Sequence, residues 1–170
     1  MAAKAKRVVL VLFLLSLNLS SPAELKINDR FFPFSLMSVD DTVVSVGLEE
    51  GRLTIVREIP GLKGSVTRKS HPAAILLDFW ATWCVPCRAA MPYMLKLFEK
   101  YQPRADQSQG GLELFGIALD QKGSIVVKPF LQKIKMKYPM LADSTTGPDA
   151  GGLIRDAKEM ADKYEAQDIP

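Results

Sequence analysis

The segment Ala74–Cys87 constrains the fold more than any other part of this 170-residue chain. It opens with an apolar run that does not alternate with polar residues and is interrupted only by Asp78. Such a run predicts a parallel β-strand that is covered on both faces. The only two cysteines of the chain follow as Cys84-Val85-Pro86-Cys87. We therefore expect an α/β protein that carries a dithiol just beyond the end of a strand.

Pro86 predicts that a helix begins at about Cys84, because the missing N–H of a proline has no intrahelical partner in the first turn. Two thiols one helical turn apart can close into a disulfide. A sulfur at the helix N-terminus lies over unpaired N–H groups, and the helix dipole favours its thiolate by about 0.3–1 kcal/mol. Since thiolates attack disulfides, we expect Cys84 to be the nucleophile and Cys87 to resolve the mixed disulfide.

Two other uses of the cysteine pair stay open. A zinc site needs four ligands, and the chain offers the single histidine His71 beside the two thiols. A purely structural disulfide is also compatible with an exported protein. The preferred interpretation is a redox-active Cys84–Cys87 disulfide, with no metal and no other cofactor.

The first 23 residues have the pattern of a targeting segment. Three basic residues precede Val8–Leu19, an apolar run broken only by two polar residues. As a helix this run is roughly 18 Å long, shorter than the roughly 30 Å hydrocarbon core of a membrane. We expect a secretory signal cleaved before Glu24, with a short uncleaved membrane anchor as the alternative.

The charge balance argues against nucleic acid as a partner. The chain has 22 basic and 19 acidic side chains, and three of the basic ones lie in the first 23 residues. The rest is therefore neutral, whereas nucleic-acid-binding domains are strongly basic. Its length suits one domain of ordinary size.

Residues 24–72 are predicted to form a β-rich extension in front of the main domain, residues 73–170. The segments Thr42–Val46 and Arg52–Ile59 are rich in valine, isoleucine and threonine and flank a glycine-containing turn, which predicts a hairpin. This hairpin serves either as a docking element or, the preferred interpretation, as an extension of the sheet edge.

The main domain is predicted to continue as a strand-helix-strand unit with two further helices. Open sheets of this kind place their chemistry at the carboxyl ends of the strands. The predicted elements are a helix over Val85–Tyr101, a strand over Leu112–Leu119, a helix entered at Lys128 with Pro129 in its first turn, and a helix over Ala150–Ala166.

The segment Phe79–Arg88 resembles the Trp-Cys-x-x-Cys pattern of the thioredoxin superfamily. Its residue pattern is most similar to that of the extracytoplasmic branch, the TlpA-, ResA- and CcmG-like thiol-disulfide oxidoreductases. Pro92 matches the proline of the family's active-site helix, and Pro33–Leu36 resembles the entry strand of this branch. The resemblance implies a three-layer α/β/α fold with a central mixed sheet.

The resemblance also implies an activity. It predicts an exported or periplasmic oxidoreductase that reduces protein disulfides, as in cytochrome c biogenesis, and is recharged by a membrane or soluble thiol partner. A membrane is expected to matter only through the N-terminal segment. The alternative is a non-enzymatic binding module. A peroxidase of the peroxiredoxin kind is disfavoured, because Ala81 stands where those proteins have threonine.

By resemblance, Asp78 is the buried acid that moves the proton of the resolving thiol, although a structural strand-end role stays open. Trp83 and Pro86 are expected to contact substrate. Ile169 and Pro170 resemble the approach to the family's cis-proline, which offers backbone to an incoming substrate strand. Because the family continues beyond this point, we expect its C-terminal strands and helix to be missing.

Overall fold

The computed structural model describes residues 31–103, 110–134, 136–142, 154, 156–166 and 169. Within these residues the chain forms seven strands and three helices. In chain order they are β1 Phe34–Ser38, β2 Val43–Glu49, β3 Arg52–Ile59, β4 Val66–Ser70, β5 Ala74–Trp80, α1 Val85–Tyr101, β6 Leu112–Ala118, α2 Ser124–Ile134, β7 Met140–Ala142 and α3 Ala157–Lys163.

All seven strands belong to one mixed sheet in the order β4-β3-β2-β1-β7-β6-β5. β5, β6 and β7 are parallel, whereas β1 to β4 run antiparallel to their neighbours and β1 pairs with β7. The predicted hairpin is confirmed as β2 and β3, and it extends the sheet edge as preferred. β4 was not predicted, because its mostly polar and exposed residues lack a strand pattern.

Helices cover both faces of the sheet, so the predicted three-layer α/β/α architecture is confirmed. Neighbouring strand residues point to opposite faces, and in β6 Leu114 packs with α1 and α2 while Phe115 packs with α3. The face shared with α1 and α2 holds Trp80, Met91, Leu114, Val127, Leu131, Tyr138 and Met140, with Cys87 packed against it. We call this group the dithiol-side cluster.

The sheet curls so that its N-terminal strands fold over the α3 side. Arg57 Nη2 on β3 lies 2.8 Å from Glu113 Oε2 on β6, and the Arg57 guanidinium lies 5.7 Å from the Phe115 ring centre. Three strands separate β3 from β6 in the sheet order. In a flat sheet that separation is about 19 Å. Only strong coiling of the sheet brings these side chains together.

β5 is covered on both faces, as its apolar run predicted. Leu77 and Phe79 pack on the α3 side, and Leu76 and Trp80 pack on the face of the dithiol-side cluster. β5 pairs with β6, and within the described residues it lies at the edge of the sheet. Ala74 is exposed, and the residues between it and Trp80 are half-buried. The apolar run correctly predicted a parallel strand, but an edge position depends on strand order, which a local pattern does not contain.

Two helix boundaries also differ from the predictions. α2 begins at Ser124 instead of Lys128, so Pro129 lies inside the helix rather than in its first turn. α3 begins at Ala157, where Asp156 accepts hydrogen bonds from the N–H groups of Lys158 and Glu159. Such an N-cap stabilises a helix start by about 1 kcal/mol. The predicted start at Ala150 lies outside the described residues.

No helix in the described part of the chain is long and apolar enough to cross a membrane. The predicted targeting segment, residues 1–23, lies outside that part.

Candidate functional site: the dithiol at the start of α1

The two cysteines stand where the sequence predicted them, at the N-terminus of α1. Cys84 is the N-cap residue, and its Sγ accepts a hydrogen bond of 3.2 Å from the Cys87 N–H. The two Cα atoms are 5.3 Å apart, and the sulfurs form a disulfide. Pro86 lies in the first turn of the helix. The helix N-terminus therefore presents backbone N–H groups to the sulfur of Cys84, which favours a thiolate there after reduction.

The two cysteines of the disulfide differ in exposure. Cys84 is 1% exposed, whereas Cys87 is half-buried. A nucleophilic sulfur has to be within reach of its substrate, and the disulfide form leaves Cys84 almost inaccessible. The neighbouring Trp83 is 61% exposed and Val85 is 64% exposed. The surface beside the disulfide thus offers apolar side chains to a partner more readily than it offers the Cys84 sulfur.

Asp78 lies on β5 and faces the dithiol-side cluster. Tyr138, which is 3% exposed, donates a hydrogen bond of 3.2 Å from its hydroxyl to Asp78 Oδ2. Burial raises the pKa of Asp78, and the Tyr138 hydrogen bond offsets part of that rise. Burial and the neighbouring Asp78 carboxylate also raise the pKa of the Tyr138 hydroxyl, so it remains a donor at physiological pH. A half-buried acid with a raised pKa holds a proton more readily than an exposed carboxyl does, which suits it to exchange a proton with a neighbouring thiol.

A second carboxylate holds the loop between β5 and the dithiol. Asp120, at the end of β6 and 5% exposed, accepts one hydrogen bond from the Thr82 N–H at 3.0 Å and another from the Thr82 hydroxyl at 2.6 Å. Trp80 C=O accepts a hydrogen bond from the Leu119 N–H beside it. No role was expected for Asp120 from the sequence. Its position directly after a parallel strand was the available signal.

A cavity of about 480 Å³ opens beside the dithiol between the β6–α2 loop and α3. Trp83 and Ile169, two of the predicted substrate-contacting residues, both line it. The other lining residues are Leu119, Asp120, Gln121, Asp156, Ala157, Lys158, Ala161 and Asp162. Pro170, the predicted cis-proline, lies outside the described residues.

His71, considered above as a zinc ligand, lies in the extension. Its Nδ1 is 3.1 Å from Thr54 Oγ1 and 3.3 Å from the Leu53 carbonyl oxygen. Among the residues that the structure describes, no three or more histidine, cysteine, aspartate or glutamate side chains are grouped to hold a metal ion.

The chain is similar in sequence to known thioredoxin-like proteins. A sequence profile described as the AhpC/TSA family matches residues 61–150. A thiol-disulfide oxidoreductase ResA of Bacillus cereus is 34% identical over 89 residues, which are 52% of this chain and 43% of that protein. A thioredoxin-like protein, YneN of Bacillus subtilis, is 30% identical over 101 residues, covering 58% of this chain and 56% of that protein.

The matches thus span about half the length of these relatives, and they confirm the resemblance stated from the sequence. Among solved structures, StoA from Bacillus subtilis aligns with a TM-score of 0.40 and 19% identity. That alignment covers 68% of this chain and 75% of StoA.

Proposed function

The chain belongs to the AhpC/TSA family, and from this premise we propose that it is a thiol-disulfide oxidoreductase that acts on protein disulfides. The observation that carries the proposal is the Cys84–Cys87 disulfide at the N-terminus of α1. A disulfide between residues one helical turn apart closes a small ring beside a thiolate-stabilising helix end. The names of the matched relatives, ResA among them, support the same activity.

In the proposed reaction the Cys84 thiolate attacks one sulfur of a substrate disulfide. A mixed disulfide forms, the substrate S–S bond breaks, and the released substrate thiolate takes a proton from solvent. Cys87 then loses its proton and attacks the Cys84 sulfur. The Cys84–Cys87 bond forms and the second substrate sulfur leaves, so the substrate gains two electrons and the protein loses them.

Asp78 is proposed to accept the proton of Cys87. The support is positional: Asp78 faces the dithiol-side cluster, against which Cys87 packs, and its pKa is raised by burial. The proton then passes to solvent before the next turnover. The alternative role, a structural acid bonded to Tyr138, predicts no effect of Asp78 on the pH dependence of the reaction.

The proposed substrates are protein segments that dock beside Trp83. Its exposed indole and the adjoining cavity, which is lined by apolar residues such as Ile169 and by charged residues of α3, give a mixed surface for such a segment. Pro86, at the helix start, and Pro170 are proposed to contribute further contacts. No cofactor beyond the dithiol is required, because the two thiols themselves carry both electrons.

The proposed setting is extracytoplasmic, with the protein acting as a reductant that a membrane or soluble thiol partner recharges. The apolar run Val8–Leu19 supports export, and a membrane enters only if that segment is retained. Neutral charge beyond the first 23 residues supports the absence of a nucleic-acid partner.

One observation favours a second candidate, a binding module without redox turnover. Cys84 is 1% exposed in the disulfide form, so a partner thiolate has little access to its sulfur. In this case the disulfide would be structural, and the surface around Trp83 would bind a partner without exchanging electrons.

Insulin reduction with dithiothreitol as the recharging thiol distinguishes the two candidates. The oxidoreductase should accelerate insulin precipitation, and Cys84→Ser should abolish the acceleration. Hydrogen peroxide in place of insulin tests the disfavoured peroxidase. If the unmodified protein is as slow as Cys84→Ser on insulin, the oxidoreductase proposal is wrong.

A further inference from the structure

Tyr138 is the one side chain in the described part of the chain that donates a hydrogen bond to the Asp78 carboxylate. It reaches Asp78 across 60 residues of sequence, from the segment just before β7. The hydroxyl is buried, and the ring packs against Phe98 of α1 with centres 6.1 Å apart. A buried phenol needs a partner for its hydroxyl. The Asp78 carboxylate is that partner. The packing of the Tyr138 ring therefore directs its hydroxyl toward Asp78.

The same packing brings Cys87 to this pair. Tyr138 belongs to the dithiol-side cluster, and Cys87 packs against that cluster from α1. Asp78 projects to the same face, because it shares strand parity with Trp80 and Leu76, which also pack there. Acid, phenol and resolving cysteine therefore lie on one side of the sheet.

We propose that Tyr138 is a positioning residue for the dithiol reaction, holding Asp78 as the carboxylate that takes the Cys87 proton. This inference rests on the proposed function. Tyr138 exchanges no proton and no electron in the reaction. Its hydroxyl keeps one carboxylate oxygen engaged, which stabilises the ionised acid and leaves the other oxygen for the thiol proton.

The groups that can influence Asp78 come from a small number of elements. α1 contributes Cys87, and the segment before β7 contributes Tyr138; the other members of the dithiol-side cluster are apolar or aromatic. Glu99 and Lys137, the sequence neighbours of Phe98 and Tyr138, form an exposed ion pair. Arg88 of α1 is also exposed, and its guanidinium lies 5.9 Å from the centre of the Phe130 ring, which packs against the cluster. Glu113 of β6 points to the opposite face and is paired with Arg57.

The hydrogen bond gives the pH dependence a definite sign. Burial raises the pKa of Asp78, and the bond from Tyr138 works against that rise. Removing the hydroxyl raises the pKa further. At a pH near the pKa of Asp78, a smaller fraction of the carboxyl is then ionised and able to accept a proton. The resolution step should therefore reach its full rate only at a higher pH.

The test measures the resolution step alone. The reduced protein is mixed in a stopped-flow instrument with 5,5′-dithiobis(2-nitrobenzoate), which releases one nitrothiolate when Cys84 attacks and a second when Cys87 resolves. The second phase is independent of reagent concentration, so its rate against pH reports the group that accepts the Cys87 proton. Tyr138→Phe should move the midpoint of this profile to higher pH and slow the phase severalfold below it.

Matched variants separate positioning from a general structural effect. Tyr164→Phe removes the half-buried hydroxyl that is bonded to the Phe32 backbone, away from Asp78, and should leave the midpoint unchanged. Asp78→Asn should remove the midpoint, and adding Tyr138→Phe to it should change nothing more. A carbon-13 NMR titration of the Asp78 carboxyl in the oxidised protein should show the same upward shift in Tyr138→Phe.

An unchanged midpoint in Tyr138→Phe, together with an unchanged Asp78 titration, overturns the inference while the oxidoreductase proposal stands. A further change in the rate of the second phase on adding Tyr138→Phe to Asp78→Asn also overturns it, because Tyr138 then acts by another route. Absence of a second phase in the unmodified protein overturns both proposals.

Discussion

Thr82 and Asp120, 38 residues apart in sequence, are joined by two hydrogen bonds to one buried carboxylate. The pair ties the loop that carries Trp83 and Cys84 to the end of β6. Among the hydrogen bonds of the described residues, none joins Thr82 or Asp120 to the side chains of Cys84 and Cys87. The role of Thr82 and Asp120 is to hold the backbone that leads into the helix N-terminus, on which the thiolate stabilisation at Cys84 depends.

Thr82→Val should destabilise the protein, because it leaves a buried carboxylate oxygen without its hydroxyl donor. The expected loss is about 1–3 kcal/mol of unfolding free energy, measured by urea denaturation of the oxidised form. Thr82→Ser keeps the hydroxyl and should lose much less. Equal stability of the valine and serine variants would show that the hydroxyl bond contributes nothing.

Reduction should turn Cys84 into an activated thiol. In Cys87→Ser, iodoacetamide at pH 6 should label Cys84 at least about threefold faster than free cysteine, since the helix N-terminus enriches the thiolate. Mass spectrometry gives the labelling rate, with Cys84→Ser reporting Cys87 as the control. If Cys84 labels no faster than free cysteine, either its burial persists after reduction or its thiolate is not favoured, and the nucleophile assignment is wrong.

Asp78 should make the protein less stable as the pH rises, which is the opposite of the effect of an ion-paired acid. Its pKa is raised in the folded state, so the folded protein holds this proton more tightly than the unfolded chain does. The ionised Asp78 therefore costs stability above its folded pKa, and the cost disappears below its ordinary value of 3.8. Asp78→Asn should be more stable than the parent at pH 7 and equal to it at pH 3, as followed by thermal unfolding.

A destabilised Asp78→Asn at pH 7 would show that the carboxylate is stabilised by the fold. Asn can still accept the Tyr138 hydroxyl bond, so the variant isolates the effect of the charge.

Trp83→Ala should weaken the binding of protein substrates more than the reaction with small disulfides. The exposed indole beside the disulfide has the character of an interface anchor, whose removal costs about 1.4 kcal/mol or more, or roughly tenfold in KM for insulin. The first phase with 5,5′-dithiobis(2-nitrobenzoate), which needs no docking surface, should change little. Tyr93→Ala serves as the control, because it removes an exposed aromatic side chain from α1 instead of from the loop before it. Equal losses with both substrates would argue against Trp83 as a docking residue.

The local elements around the dithiol were predictable from sequence. The bounds of α1 matched the prediction, because Pro86 and the N-cap position of Cys84 are sufficient to place a helix start. The β2–β3 hairpin followed from its valine- and threonine-rich segments and the turn between them. β6 ended one residue earlier than predicted.

The differences from the predictions have two kinds of cause, tertiary and local. β4 is held by pairing with β3 rather than by its own polar residues. α2 begins before its proline although a proline favours the first turn. The burial of Cys84 depends on what packs around the loop. For β4 and Cys84, neighbours from elsewhere in the chain outweigh the local preference. The first turn of α2 is instead held by local hydrogen bonds from the Val126 and Val127 N–H groups to the Gly123 carbonyl.

The sequence by itself determined that two thiols stand one helical turn apart, after an apolar parallel strand, because these features depend on residues that are adjacent in the chain. Only the tertiary structure decided which groups meet them. Strand order and register bring Asp120 to Thr82 and Tyr138 to Asp78 across 38 and 60 residues. The coiling of the sheet likewise brings Arg57 to Glu113. Hydrogen bonds and ion pairs between distant residues form only where packing has already placed both partners, and no local pattern records that placement.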